Sequence, residues 1–308
     1  MFKNIIYLLV LIVILFEMLF NSSLIVNSVN FSFEICINNL FPTLFPFMIL
    51  SNILMEYGFI DITSELLKKI MNKIFKVHEN TTSILILSII SGSPSNAKFI
   101  NDLLNKNLIN INQANKILLF SHFVNPLFIL NTIGITFLHN KKLGIIILIS
   151  HYLGNIILGI ILRNYKPYKT KTKFNISKTL NTIKNKKNNF ILILTNSITS
   201  SINTLIIILG VITSCLIITN LLNIKPPFNG ILEITQGLKY ISNINNSLLI
   251  KTIITTFLIS FGGFSIHAQV FSILNNKKIK YIPYLLSRLT HGIISSIMVY
   301  ILFKIIYP

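Results

Sequence analysis

Long apolar runs, punctuated by short polar stretches, organise this chain. About 20 consecutive apolar residues cross a bilayer, and by that measure Asn4 to Val26 predicts a first span despite Glu17. Val29 to Leu40 is amphipathic and too polar to cross alone. Phe41-Pro42-Thr43-Leu44-Phe45-Pro46-Phe47 then leads into a second span ending near Tyr57, its two prolines marking a helix start and a kink. From Asp61 to Val77, Ile62, Leu66, Ile70 and Ile74 recur at helical spacing while Lys68, Lys69, Lys73 and Lys76 fall on the other face. That pattern predicts a basic helix lying along a membrane surface. Further spans are predicted over Asn112 to Leu138 (broken at Asn125-Pro126), Leu143 to Leu162, Phe190 to Leu222 and Pro283 to Ile306. The Phe190 to Leu222 run carries a polar interruption from Thr195 to Asn203, and Ile231, Ile234, Leu238 and Ile241 mark a second amphipathic segment that holds Glu233.

Two interruptions stand out. Ser91-Gly92-Ser93-Pro94-Ser95-Asn96-Ala97-Lys98 separates two helical runs, with Ser93 suited to cap and Pro94 to open the second. A looser copy is Gly262-Gly263-Phe264-Ser265-Ile266-His267-Ala268-Gln269. A helix that stops and restarts inside a membrane is tolerated where protein or a water-filled cavity covers the freed backbone. Two such interruptions in corresponding halves point to a transporter's binding site. Both stretches therefore predict re-entrant helical hairpins, over 80–107 and 248–276. Laid on itself, the chain places Gly92, Ala97, Leu103, Asn105 and Lys106 on Gly263, Ala268, Leu274, Asn276 and Lys277.

The predicted fold is an all-α polytopic membrane protein with inverted structural repeats, two re-entrant helical hairpins and two interfacial amphipathic helices. Residues 1–27 form an N-terminal transmembrane helix, uncleaved because no small-residue cleavage site follows it. Residues 28–163 form the first repeat, 164–189 a basic cytoplasmic loop and 190–308 the second repeat.

Composition agrees. Of 308 residues 52% are hydrophobic and 11% charged, against about 25% charged in a soluble domain; the mean hydropathy is +0.72. The net charge of +19, from 27 basic and 8 acidic residues, lies mostly in the connecting loops. The positive-inside rule accounts for it better than nucleic acid does; with both hairpins re-entrant, the loops at Lys68 to Lys76 and Arg163 to Lys187 both fall inside, with both termini. Cys36 and Cys215 lie far apart in apolar or amphipathic segments and read as packing residues. No metal site or cofactor is expected, and no zincin, nucleophile-elbow or phosphate-loop motif suggests an enzyme.

The candidate chemistry lies at the tips. A half-helix starts with backbone N–H groups that lack partners and carries roughly half a positive charge there, which favours anions. Ser93, Ser95 and Asn96 add donors at the first tip; Ser265, His267 and Gln269 do so at the second. Gly92, Pro94, Pro126, Gly262 and Gly263 read as backbone breaks, and Asn125 as a polar contact beside one of them. Lys98 and Arg288 are cations at membrane depth, costing about 2.5–3.5 kcal/mol each on insertion scales. Lys98 has three readings, contact with an anionic ligand, snorkelling to water or a pair with Asp102 one turn on; Arg288 has ligand contact or a pair with Glu233. Glu233 and His291 are candidates for coupling or ion pairing, while His122, His151 and His291 on apolar helices also read as hydrogen-bonded structural groups. The residues themselves support a small organic anion as the partner besides lipid, and leave a homo-oligomer open.

A family likeness runs in order from about residue 38 to 304. It is carried by Leu40-Phe41-Pro42-Thr43-Leu44-Phe45-Pro46-Phe47, the Ser91 to Lys98 break, Pro126-Leu127-Phe128-Ile129 and His151-Tyr152-Leu153-Gly154-Asn155. Gly230-Ile231-Leu232-Glu233-Ile234-Thr235, Phe261-Gly262-Gly263-Phe264-Ser265, His267-Ala268-Gln269 and Arg288-Leu289-Thr290-His291-Gly292 extend it. These motifs resemble the YlbJ-type sporulation integral membrane proteins. The resemblance implies the nucleoside-recognition (Gate) group, related to the core of concentrative nucleoside transporters, and a role in endospore formation. It also implies transport of dipicolinic acid from the mother cell across the outer forespore membrane, a flat dicarboxylate that two helix starts with Lys98 and Arg288 would suit. The family more often has a bulkier residue where Ser93 stands and glycine where Asn96 stands. A nucleoside/cation symporter and a non-transporting sporulation scaffold are the competing functions.

Overall fold

The computed structural model describes residues 2–168, 176–184, 189–275 and 278–307; among them the secondary structure is helical, with no strand. Asn276 and Lys277, one end of the internal match, lie outside the described residues. Helix α1 (Phe2–Phe20) ends where the Asn21 amide turns back onto Glu17, 3.1 Å from its carbonyl and 2.9 Å from its carboxylate. The single span expected over Asn4 to Val26 is therefore two helices. The second, α2 (Ser22–Ile35), continues through a π-helical turn at Cys36–Leu40 into α3 (Phe41–Glu56), a 35-residue rod rather than an amphipathic piece followed by a span. The π turn accommodates Pro42, which cannot donate, and Thr43 gives its hydroxyl to the Asn39 carbonyl at 2.6 Å. The polar residues of 28–40 misled because they bind another helix instead of water. Ser32 meets Thr213 at 2.7 Å, and Ser28 accepts from Asn220 at 2.8 Å.

Helix α4 (Phe59–Phe75) is the expected basic helix, with its faces redistributed. Ile60, Met71 and Phe75 pack inward with Lys68, which pairs with Glu65 at 2.9 Å, whereas Leu66, Ile70 and Ile74 point out of the protein. Helices α5 (Thr81–Ser91) and α6 (Ser95–Asn105) form an antiparallel hairpin whose base is closed by the Asn80 amide donating to the Leu108 carbonyl at 2.9 Å. The next stretch is interrupted more widely than Asn125-Pro126 suggests: α7 (Ile111–Leu118) gives way to non-helical residues 119–125, then to a π-helical segment, Phe128–Phe137. Helix α8 (Lys141–Ile161) follows, and within the basic loop a short α9 (Ile176–Lys184) packs on α4.

Helix α10 (Phe190–Leu221) runs unbroken for 32 residues along α2 and α3. Its polar stretch is spent on α3, where the Asn52 amide donates to Ser201 at 3.2 Å. Helices α11 (Phe228–Leu232) and α12 (Ile234–Asn243) form a V with extended backbone at Glu233; a Cβ on Gly230 would lie 2.6 Å from Gly237 across it. Helices α13 (Leu248–Phe261) and α14 (Gly263–Leu274) part at Gly262, and α15 (Tyr281–Ile306) closes the chain.

Hydrogen bonds locate the two ends of the bundle. Asn115, at the start of α7, holds Lys278 and Lys280 (3.3 and 2.9 Å), so the far end of α14 lies with the α4 and α8 termini. The beginning of α13 lies at the opposite end, where Lys251 donates to the Ser242 carbonyl at 3.1 Å. The chain through Gly262 thus passes from one end to the other, and α13 and α14 hardly touch: α13 lies along α15, α14 along α6 and α10. The hairpin expected over 248–276 is a broken crossing helix, and the second short hairpin is the α11–α12 V with Glu233 at its apex.

Polarity is inverted relative to a soluble protein. Helix α15 buries Ser287, Arg288, His291 and Ser295 while turning Leu286, Ile293, Ile297 and Ile301 outward. Such a face is at home in hydrocarbon. Among the described residues five helices are long and apolar enough to cross a membrane: Ser22–Glu56, Lys141–Asn164, Phe190–Leu221, Leu248–Leu274 and Tyr281–Ile306. Lys116 ties their basic end together: fully buried, it donates to the Lys76 carbonyl at 3.0 Å and the Arg163 carbonyl at 2.7 Å, the C-terminal ends of α4 and α8. Lys116→Met orphans both carbonyls. A stability loss of ~1–3 kcal/mol is expected, read as a lower melting temperature in detergent, with an unchanged melting curve counting against the lock.

Candidate functional site

Four interruptions meet in the interior. At the first, Gly92 has φ +79, and a Cβ there would lie 2.7 Å from the Asn125 backbone nitrogen, so glycine is required for both conformation and approach. Pro94 occupies the cap position and α6 opens at Ser95, one residue later than the sequence suggests; no side chain caps it. At the second, Asn125 donates to the Ile90 carbonyl at 2.9 Å and accepts from Leu127 and Phe128 at 2.8 and 3.3 Å. It caps the helix that restarts at Pro126 while satisfying the end of α5. At the third, Glu233 caps α12, its Oε1 accepting from the Thr235 N–H at 3.0 Å and hydroxyl at 2.9 Å. The fourth is Gly262-Gly263, with φ +92 and +58, from which α14 starts with no side-chain cap.

One cavity of about 60 Å³ touches all four breaks or the helices they start. Ser93, Pro94, Asn125, Glu233, Thr235, Ser265 and Gln269 line it, against Leu44, Phe128, Ile208, Ile212 and Ile259. By the volume a single buried water needs, it holds roughly four waters. Among the described residues Ser93 Oγ, Ser265 Oγ and Glu233 Oε2 are buried without a close hydrogen bond, and the Ser265 side chain stands beside the Glu233 carboxylate. No lysine or arginine is among the lining residues.

The remaining candidate residues lie elsewhere. Ser95 and Asn96 are buried behind the tip, Asn96 donating to Ser121 at 3.2 Å. His267 turns away from the cavity, with Nε2 donating to the Phe261 carbonyl at 3.0 Å and Nδ1 3.2 Å from the Tyr281 hydroxyl. Lys98 donates to Asn52 Oδ1 at 2.5 Å in a separate cavity. Arg288 is fully buried, donates to the Leu119 carbonyl and contacts His291 Nδ1 at 3.1 Å. Neither cation has a carboxylate within ion-pair distance among the described residues, so the alternative pairs Lys98–Asp102 and Arg288–Glu233 are not formed.

The histidines are engaged by the fold. His151 accepts the Val124 N–H at Nε2 (3.0 Å), so its Nδ1 carries the proton and donates to Ser260 at 2.8 Å. His291 donates from Nε2 to the His151 carbonyl at 2.9 Å, leaving Nδ1 to accept from Arg288. His122 lies 3.3 Å from the Ile259 carbonyl. Sequence reasoning missed Thr235 and the α10 wall, Ile208 and Ile212. A lone hydroxyl after Glu233 was the signal for the first; nothing in a uniformly apolar run marks the second. Gly92→Ala is expected to force the α5–α6 turn off Asn125, seen as faster amide exchange over 88–97 with the rest of the chain unchanged; equal protection there would refute the close approach.

No protein-family model and no solved structure matches this chain. The sporulation integral membrane protein YlbJ of Bacillus subtilis (strain 168) is 31% identical over 304 aligned residues, covering 87% of this chain and 74% of that protein. The chain is a multi-pass integral membrane protein and belongs to the YlbJ family of sporulation integral membrane proteins.

Proposed function

We propose that the protein is a membrane carrier for a small organic anion, dipicolinate, moving it across the outer forespore membrane during endospore formation. The observation that carries this reading is the cavity on which two helix starts, those of α6 and α14, open without a capping side chain. Both starts carry the positive ends of helix dipoles, although at α6 the Ser93, Ser95 and Ala97 N–H groups already donate to the Phe123, Gly92 and Pro94 carbonyls. Two such ends on one cavity match a ligand with two carboxylates. Asn125 and Glu233 already fill the other two starts.

The same reading carries the inverted repeat. A hairpin followed by a broken crossing helix occurs as α5–α6 with residues 111–137, and again, entering from the other end, as α11–α12 with α13–α14. In this arrangement Glu233 is the counterpart of the Ser93-Pro94 tip. Residues 119–125 correspond to Gly262-Gly263. The relation to the nucleoside-recognition group and to concentrative nucleoside transporters rests on this order of elements.

Glu233 separates the two substrate classes. With no cation lining the cavity, an anion there requires Glu233 to be neutral, because a second buried negative charge is costly. A nucleoside favours the ionised form, which accepts from ribose hydroxyls; the cavity-facing Oε2 is the observation in favour of that second reading. In proteoliposomes, saturable dipicolinate uptake without uridine uptake is expected. Glu233→Gln, which mimics the neutral acid, is expected to keep dipicolinate transport within about threefold, whereas a nucleoside carrier would lose roughly tenfold or more. Uridine uptake alone would reject the anion assignment.

The bundle ends also suggest a placement for the end of α15. Tyr307 lies beside the start of α8, 3.4 Å from the Asn140 amide, and so opposite the basic Lys76–Arg163 end. With that basic end inside, a reporter fused after the last residue is expected on the outer side. Protease accessibility of the fusion from the inside would overturn the placement.

A further inference from the structure

Two larger cavities flank the central one, at opposite ends of the bundle, and the second leg of a short hairpin runs along each. At the basic end, a cavity of about 450 Å³ lies between α3, α6 and the start of α10. At the other end, a cavity of about 770 Å³ lies between α2, α12 and the end of α10. Helix α6 leaves the central cavity at Pro94 and reaches Lys98 about 6 Å on at 1.5 Å per residue; Lys98 and Lys106 then line the first outer cavity. Helix α12 leaves the central cavity at Glu233 and Thr235, and Gln236 and Lys239 line the second.

We propose that these two cavities are the mouths of one path for a small dicarboxylate, each carrying a lysine, Lys98 or Lys239, that receives the anion before it reaches the central cavity. This rests on the carrier reading above. Lys98 is a half-buried ammonium whose hydrogen-bond partner is a neutral amide, Asn52, and it forms no ion-pair contact with a carboxylate among the described residues. Two acids also line this mouth: Asp102, one turn from Lys98 on α6, and Glu56, which is held by Lys106 at 2.8 Å. The start of α10 faces the same space and adds a positive dipole end. In the opposite mouth Lys225 and Lys239 stand among asparagines with no acidic lining residue, and Lys239 rests 4.6 Å from the Phe31 ring centroid, a contact an anion can displace it from. A carboxylate from substrate and the phosphate of an anionic lipid share this chemistry.

The test uses the full chain in proteoliposomes of phosphatidylcholine, oriented by sidedness of protease cleavage, with dipicolinate as probe. Lys98→Gln is expected to raise KM roughly tenfold for dipicolinate offered on the basic side and to leave the KM from the other side unchanged. Lys239→Gln is expected to do the reverse. Lys98→Arg and Lys239→Arg restore both values, and Lys304→Gln changes neither. A second measurement does not depend on turnover. In a Cys36→Ser, Cys215→Ser background, Asn196→Cys and Asn243→Cys are expected to react several-fold faster with an anionic than a cationic methanethiosulfonate, each from its own side, and to be protected by dipicolinate. Equal rates with both reagents, or no protection while transport persists, overturns the mouths and leaves the carrier reading standing. Protection without any transport overturns the carrier reading and with it the path. Protection produced by phosphatidylglycerol in the vesicles, and not by dipicolinate, assigns the cavities to lipid headgroups and overturns the proposal.

Discussion

Helices that end inside a membrane protein leave backbone carbonyls and N–H groups where no water can reach them, and the interior of this protein is built around that constraint. In hydrocarbon each orphaned group costs several kcal/mol. The carbonyl ends are met one by one by buried donors. Arg288 serves Leu119, Asn125 serves Ile90, His267 serves Phe261 and Asn155 serves the His122 carbonyl at 3.0 Å. The Tyr152 hydroxyl lies 3.0 Å from both the Ile89 and Val124 carbonyls. Seen this way Arg288 needs no acid. Its charge sits at the negative end of α7, and its hydrogen bonds replace those the helix would have made.

The opposite ends are treated differently. Two of the four helix starts are capped by Asn125 and Glu233, and two are not. A fold that meets these carbonyl ends with side-chain donors and leaves two helix starts on a cavity without a side-chain cap has an electrostatic direction there. The cations that sequence reasoning assigned to the ligand, Lys98 and Arg288, are not needed in the pocket for that direction to exist. Backbone dipoles supply it without the desolvation cost of a buried ammonium. The buried hydroxyl of Ser93 extends the same donor surface.

Much of this was legible in the chain. Pro94, Gly92 and Gly262 announce breaks because their backbone chemistry permits little else, and the lengths of α8, α10 and α15 follow from uninterrupted apolar runs. The direction of the chain through a break was not legible. Gly92 and Gly262 both end a helix with positive φ, yet one turns the chain back and the other lets it go on. Periodicity cannot tell these apart; the difference lies in what the next helix packs against, α5 for the first and α6 and α10 for the second. Polar residues inside α2 and α10 misled for a related reason. Ser32, Ser28 and Ser201 bind across helices, and a sequence shows that a residue is polar without showing its partner.

Glu233 is where these threads join. It sits at the apex of a V that the sequence presented as one amphipathic helix, so its extended backbone and its cap on α12 both came from the break. One carboxylate oxygen stabilises the start of α12, and the other faces the cavity, where the Ser265 side chain stands beside the carboxylate. A carboxylate fixed in that way cannot rotate out to water when a ligand arrives, so the ligand's own charge must be reconciled with it in place. An anion can share the cavity once a proton neutralises that second oxygen, and the proton then becomes part of the bound state. In the proposed carrier, the same side chain that caps α12 would therefore link occupancy of the site to protonation.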